Sequence, residues 1–476
     1  MTARTLWTFA ITSVALFMVS LDNLVVTTAI PVIRTDLGAS LESLEWTVNA
    51  YTLTFAVLLL TGAALGDRFG RRLMFSIGLG IFTAASVAAA LAPTVEALDV
   101  ARAVQGLGAA IVMPLTLTLL SASVSPERRG LALGAWGGIG GLAVAFGPVV
   151  GGAVVDGISW HWIFWLNVPI GLVLVPLALL RLDESRGPGD RLDLPGVGLA
   201  SAGMLGLVWA LINGNSDGWT SPQILAPLAA GLALLGAFAA WELRSPAPML
   251  PLRFFRNRAF ALGNVSSLFM FFGMFGSIFL LAQFFQTVQG YSPLQSGLRV
   301  LPWTIAPMFI APIAGALSDK ISPRLILGTG LSLQAAALAW IASVTTPTAP
   351  YGELVIPFAL AGVGMALFFA PMANVVLSAV RPAEEGQASG ANNAIRELGG
   401  VFGVAVLAAV FSRVGGYESG VAFVDGMRSA VYVGAAVVGI GAVAAFLIPS
   451  PRTGSEATTV AVDRPGERLV PQPEAA

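Results

Sequence analysis

Asp22 and Arg102 are charges set inside long apolar stretches, and they are the residues best placed to do chemistry. Counted from the same side at 1.5 Å per helical residue, Asp22 lies about 12 Å inside the first apolar run and Arg102 about 8–9 Å inside the fourth. Charge within an apolar span is costly and usually marks function, so these near-equal depths read as a pair. A carboxyl in apolar surroundings keeps its proton, whereas a guanidinium beside it favours the anion. Moving Arg102 relative to Asp22 would switch the acid between accepting and releasing a proton. The plainer alternative is that each charge reaches water separately near the surface.

The rest of the inventory works mainly by exclusion. With no Cys, one His (His161) and one Lys (Lys320), the chain has no means for thiol catalysis, His/Cys metal clusters or disulfides. Lys320 follows Asp319, so there is no Gly-Lys-Ser/Thr phosphate loop. Gly138-Ile-Gly140-Gly-Leu-Ala143 imitates a dinucleotide fingerprint, but no strand precedes it and it lies inside an apolar run. His161, between Trp160 and Trp162, reads as part of an interfacial aromatic belt. No enzyme, cofactor, metal or nucleic-acid partner is expected, and any work must draw on a gradient.

Such residues need apolar helices to hold them. Hydrophobic residues make up 56% of the 476 and charged ones 11%, with a mean hydropathy of +0.81, far from the balance of a soluble domain. Apolar runs separated by charged, Pro or Gly turns place helices near 7–31, 46–65, 73–92, 97–121, 131–155, 162–180, 196–212, 223–241, 259–288, 298–317, 325–344, 354–379, 389–411 and 428–448. Each is long enough to cross a bilayer, so the fold is predicted to be all-α and polytopic, with fourteen transmembrane helices. Arg68, Arg71, Arg72, Arg128, Arg129, Arg181, Arg186, Arg191, Arg244, Arg253, Arg256, Arg258, Lys320, Arg324 and Arg381 fall in alternate loops; the other loops receive little beyond Arg34, Arg413 and Arg428. This bias predicts two cytoplasmic termini in an inner membrane.

The chain also repeats itself. Gly62 to Arg71, with Asp67, is echoed by Gly315 to Arg324, with Asp319, and Gly106, Gly108 and Pro114 by Gly362, Gly364 and Pro371. Two pseudo-symmetric six-helix bundles, 1–180 and 259–450, are therefore expected to flank two inserted helices within 181–258, with a disordered polar tail at 451–476. Asp67 reads as a cytoplasmic latch, placed to meet a helix N-terminus or an Arg of the other half, with Asp319 its repeat. Arg68 and Arg71 either join that gate or only fix topology. Arg396 and Glu397, near the predicted start of helix 13, are either a second gate element or a wetted helix end.

At these residues the chain resembles the major facilitator superfamily, and within it the fourteen-helix drug:proton antiporters. Leu65, Asp67, Arg68, Gly70, Arg71 and Arg72 match its Gly-x-Leu-x-Asp-Arg-x-Gly-Arg-Arg signature, with Ala63 in place of the first Gly. Arg102, Gln105, Gly106 and Gly108 match an Arg-x-x-Gln-Gly-x-Gly motif tied to proton coupling, and Gly147, Pro148, Gly151 and Gly152 match the Gly-Pro-x-x-Gly-Gly motif of antiporters. Leu21 to Pro31 and Trp160 to Gly171 resemble further family segments.

The resemblance implies a monomeric alternating-access antiporter that exchanges protons for small hydrophobic drugs, dyes or antibiotics. Glycines at 147, 151 and 152 would let helices approach closely, and Pro148 would permit a bend. The helices lining the central cavity would present Tyr51, Gln105, Met113, Phe272, Phe275, Gln283, Gln286, Trp303, Phe368 and Asn374 to an apolar substrate. Each could instead face lipid or a neighbouring helix. Rival readings are an exporter of a single metabolite, or a receptor on the same fold.

Overall fold

The structure is a computed structural model that describes residues 3–124, 126–186, 192–318, 321–381 and 384–449. The described residues form helices and no strands. Helices satisfy every backbone group within the segment, which lipid demands. Buried hydroxyls follow the same rule: Thr12, Thr52, Thr83 and Ser86 each donate to the carbonyl four residues back, so their polarity is absorbed inside the helix.

The N-terminal six are α1 (Ala3–Leu37), α2 (Leu41–Phe69), α3 (Arg71–Ala90), α4 (Val95–Ser123), α5 (Pro126–Gly157) and α6 (Trp162–Trp165 with Asn167–Arg181). The inserted pair is α7 (Leu194–Asp217) and α8 (Pro222–Glu242). The last six are α9 (Arg258–Gln283, ending in a wider turn at Phe284–Val288), α10 (Pro293–Thr304 with Ala306–Ser318), α11 (Pro323–Val344), α12 (Tyr351–Ser378), α13 (Glu385–Val414) and α14 (Gly420–Phe446). Thirteen of these are long and apolar enough to cross a membrane. The other, α10, is broken at Ile305. Pro307 has no N–H for the Trp303 carbonyl, which explains the break.

Two boundaries differ from the sequence reading. Pro31 does not end α1; it sits inside the helix, which continues to Leu37 and stops where Gly38 turns to φ 62°. Membrane helices tolerate such a proline because neighbours absorb the freed carbonyl. Helix α13 begins at Glu385, not near 389, which moves Arg396 and Glu397 deeper.

In the first half α4 packs on α2 and α3, and in the second α12 packs on α10 and α11, as the repeat requires. The halves meet along two seams, α5 on α10 and α2 on α13, which the repeat interconverts. Helix α7 lies along the second seam: Val208 and Ile212 share a core with Leu53 and Val57 of α2 and Val401 and Ala405 of α13. Trp46 and Trp209 meet there at 6.0 Å, and Asn215 donates to the Ala409 carbonyl of α13.

The apolar core divides unevenly. The Arg-poor parts of α1, α2 and α4 share one continuous cluster with the C-terminal bundle. The Arg-rich parts of those helices, with α3, form a separate cluster. The halves therefore share their continuous core at the Arg-poor end, while toward the other end contact narrows to the α2–α13 seam, where Leu60 reaches Gly390.

Candidate functional site

The structure brings Asp22 and Arg102 together. Arg102 Nη1 donates to Asp22 Oδ2 at 2.5 Å, and both side chains are fully enclosed, at 0% and 1% exposure. The other carboxylate oxygen, Oδ1, accepts from Gln105 Nε2 at 2.8 Å and Asn167 Nδ2 at 2.7 Å. Ser86 Oγ holds the Gln105 amide at 2.9 Å, and Gln105 Oε1 accepts from Arg102 Nη1 at 2.8 Å. Four helices, α1, α3, α4 and α6, thus converge on one carboxylate.

The guanidinium is held as firmly. Its Nε donates to the Thr47 carbonyl of α2 at 3.3 Å, and its centre lies 4.2 Å from the Tyr51 ring. Thr47 in turn donates its hydroxyl to Asp99 at 2.8 Å, one turn before Arg102. Nη2 of Arg102 is buried with no hydrogen-bond partner. A buried pair with one member removed is strongly destabilised, typically by about 3–5 kcal/mol. Chemically, the arrangement surrounds one enclosed carboxylate with three donors, a guanidinium and two amides.

Ser86, Asn167, Thr47 and Asp99 were not among the expected site residues. Asn167 fell within a recognised segment, and an amide inside an apolar run was its only signal.

The glycine-rich stretch of α5 sits between α1 and α10. A Cβ on Gly147 would lie 2.7 Å from Leu24 Cβ, and one on Gly151 would lie 2.9 Å from Val25 Cα. Gly152 meets the backbone of Pro293 and Leu294, while Gly297 of α10 meets the Pro148 carbonyl. Polar contacts between the halves gather at the same end. Gln286 Nε2 donates to the Thr28 carbonyl at 2.8 Å, Ser292 Oγ donates to Asp156 at 2.8 Å, and Arg34 stacks 3.3 Å over the Tyr417 ring. Nearer mid-span, Thr304 Oγ1 donates to the Ala145 carbonyl at 3.0 Å.

Among the described residues, Asp67 pairs with Arg71 at 2.8 Å, four residues on, because Gly70 turns the chain back at φ 116°. The acid at the start of α3 is Glu184, which accepts from the Arg72 and Leu73 amides at 3.0 and 3.3 Å. Arg68 lies 5.3 Å over its neighbour Phe69. Asp319 lies outside the described residues.

Arg396 and Glu397 are not a wetted helix end. They sit eleven and twelve residues beyond Glu385, about 17 Å into α13. Successive residues on a helix diverge, so the two side chains leave α13 in different directions. Arg396 lies between Phe271 and Phe369, 4.4 and 5.3 Å from their rings, and donates to Asn393 at 3.1 Å. Glu397 Oε2 is buried with no partner.

The ten substrate candidates have varied surroundings. Tyr51 and Gln105 belong to the Asp22 network. Phe272, Phe275, Gln283, Trp303 and Phe368 are buried in packing; Phe275 lies on Gly400, and Gln283 accepts from the Tyr417 hydroxyl. Gln286 serves as a contact between the halves. Met113 packs on the separate N-terminal core, and Asn374 is exposed, donating to Ser318 at 3.0 Å.

Comparison with known proteins places this geometry in a family. The model of the Major Facilitator Superfamily matches residues 12–404 and 302–470. The chain is 35% identical to the tetracenomycin C resistance and export protein of Streptomyces glaucescens over 85% of this chain and 75% of that one. It is 34% identical to the multidrug resistance protein Stp of Mycobacterium tuberculosis, covering 86% of this chain and 76% of the relative. It is also 34% identical to the methylenomycin A resistance protein of Streptomyces coelicolor, covering 85% of each. Among solved structures it resembles a POT family transporter in complex with a thioalcohol-conjugated peptide, with a TM-score of 0.69 at 14% identity over 91% of this chain and 94% of that one. It also resembles a bacterial homologue of the lysosomal transporter Spinster in an inward-facing conformation, with a TM-score of 0.67 at 17% identity over 94% and 97%. The structural likenesses speak for the fold alone. A multi-pass membrane chain with this repeat, these motifs and these relatives belongs to the Major Facilitator Superfamily, a family of transporters, with antibiotic- and multidrug-resistance exporters among its relatives.

Proposed function

We propose that this transporter exports small, largely apolar molecules across the cytoplasmic membrane in exchange for protons, as a monomer with both termini inside. The observation that carries this reading is the enclosed Asp22–Arg102 pair. A proton on Asp22 weakens its hold on Arg102, and Arg102 alone would then be a buried, unpaired charge that must find a new place. Helices α1 and α4 carry the two residues, so the rearrangement works on the packing of the N-terminal half. The halves are joined at the Arg-poor end; with that end outside, as the loop charges argue, this conformation faces inward. Relatives named for antibiotic resistance and export support the direction of transport and the chemistry of the cargo.

The deciding experiment is efflux from proteoliposomes driven by an imposed proton gradient, using a compound found in a susceptibility panel in an efflux-deficient host. Export that runs without a proton gradient would sink the coupling. Reporter fusions test the orientation: Glu184 and Arg256 should report cytoplasm, Asp217 and Gly416 the outside. A second reading, an exporter of one antibiotic, is favoured by relatives named for single compounds. Protection against only one member of the panel would select it.

A further inference from the structure

At the Arg-rich end, a cleft of about 330 Å³ opens between the linker after α8 and the facing ends of α12 and α13. Its floor is Phe254, buried and edge-on to Phe260 at 5.5 Å. Arg253 and Arg381 stand on opposite sides, with guanidiniums largely exposed. Asn257 fixes the linker in place by donating to the Ala379 carbonyl at 2.9 Å.

Glu384 sets the spacing of the two arginines. Its Oε1 accepts from Arg253 Nη2 at 2.7 Å and from Arg381 Nη2 at 2.6 Å, and its Oε2 accepts from Arg381 Nε at 3.1 Å. These contacts leave each guanidinium a further edge for another acceptor. Two cations around one carboxylate give the cleft a net single positive charge. The Arg381 hydrogen bonds, and behind them the charges of Arg381 and Arg253, hold the Glu384 carboxyl down to about 2, so this balance persists at any physiological pH. Arg256 and Arg258, both exposed, flank the cleft.

The depth is informative. Ser378 ends α12 and Arg258 begins α9, so the cleft lies where helices leave the bilayer, at the level of lipid phosphates. A fork of two guanidiniums matches the oxygens of a phosphodiester monoanion. A free anion would gain little from two exposed arginines already sharing a carboxylate. A lipid phosphate is different, since its acyl chains already keep it at the site. We propose that this cleft holds the headgroup phosphate of an anionic phospholipid between Arg253 and Arg381. The lipid thereby ties the linker of the inserted helices to the C-terminal bundle.

The test is native mass spectrometry of the full chain released from micelles containing equal phosphatidylglycerol and phosphatidylcholine. Wild type should retain phosphatidylglycerol preferentially. Arg253→Ala and Arg381→Ala should each lower that preference about five-fold, and Glu384→Gln should raise it. Arg256→Ala, beside the cleft but outside it, should have a distinctly smaller effect. Both lost arginines are exposed, so insertion should be unharmed, and size-exclusion profiles check this. Equal retention of the two lipids by wild type overturns the site. So does an Arg256→Ala loss as large as that of Arg381→Ala, which would mean surface charge alone. Displacement of the lipid by millimolar inorganic phosphate would overturn the lipid assignment as well.

Discussion

Gly152 of α5 and Pro293 of α10 meet backbone to backbone, so closely that a Cβ on Gly152 would fall on the Pro293 carbonyl. Gly152→Ala should therefore wedge the Arg-poor end open. Overpacking of this kind costs about 1–3 kcal/mol, enough to shift a conformational equilibrium five-fold or more. Cysteine labelling at Leu294 should rise and transport should fall. Unchanged labelling would show that the seam relaxes around a methyl group.

Asp22→Asn should abolish gradient-driven export while the protein still inserts. It also leaves Arg102 buried beside a neutral amide, so thermal stability should drop; Arg102→Ala leaves the mirror-image defect. Because the two changes destroy one interaction, the double variant should be far less destabilised than the sum of the singles. Additive losses would mean that the pair is not energetically coupled.

Asp67→Asn should reduce transport at equal membrane abundance without unfolding the protein. Among the described residues the carboxylate pairs with Arg71 of its own half, a partly exposed pair worth about 1 kcal/mol or less. Any larger effect must come from a state in which the Arg-rich end closes. Wild-type efflux would remove Asp67 from the gate.

The Glu384 cluster should be indifferent to pH across the working range. Its carboxyl is held at about 2, below the ordinary 4.5. A depressed value contributes stability that is present above the ordinary value and lost only as pH falls toward 2. Hydrogen exchange at the start of α13 should be unchanged between pH 5 and 8 once corrected for the intrinsic rate. A step in that window would assign the cluster a different charge state.

Much of this was legible in the residues. Asp22 and Arg102 announced themselves because charge in an apolar run is too costly to persist without a role, and the helices followed from the length of those runs. Asn167 and Ser86 were not legible, since an uncharged polar residue fits many packed helices and its partner lies far away in sequence: 145 residues separate Asn167 from Asp22. The break in α10 was missed for a related reason. Pro302 and Pro307 both suit a membrane helix, and only the α12 backbone pressed against the Trp303 carbonyl shows that the ladder of hydrogen bonds is interrupted there. The surroundings of the substrate candidates were not legible, because aromatic residues serve packing as readily as binding; the Phe275 ring lies on Gly400 and the Phe272 backbone against Gly403 of α13.

Helix α7 gives the molecule a spine. The repeat makes the α2–α13 and α5–α10 seams equivalent, but α7 is packed into the first and leaves the second bare. Parting α2 from α13 would also break the shared core of Leu53, Val208 and Val401 and the tie from Asn215 to Ala409. In lipid that loss is one of packing rather than of hydration. Bundles that part under this packing should open as a book does, least along the bound edge and most along the free one, which would give a pseudo-symmetric fold a handed motion.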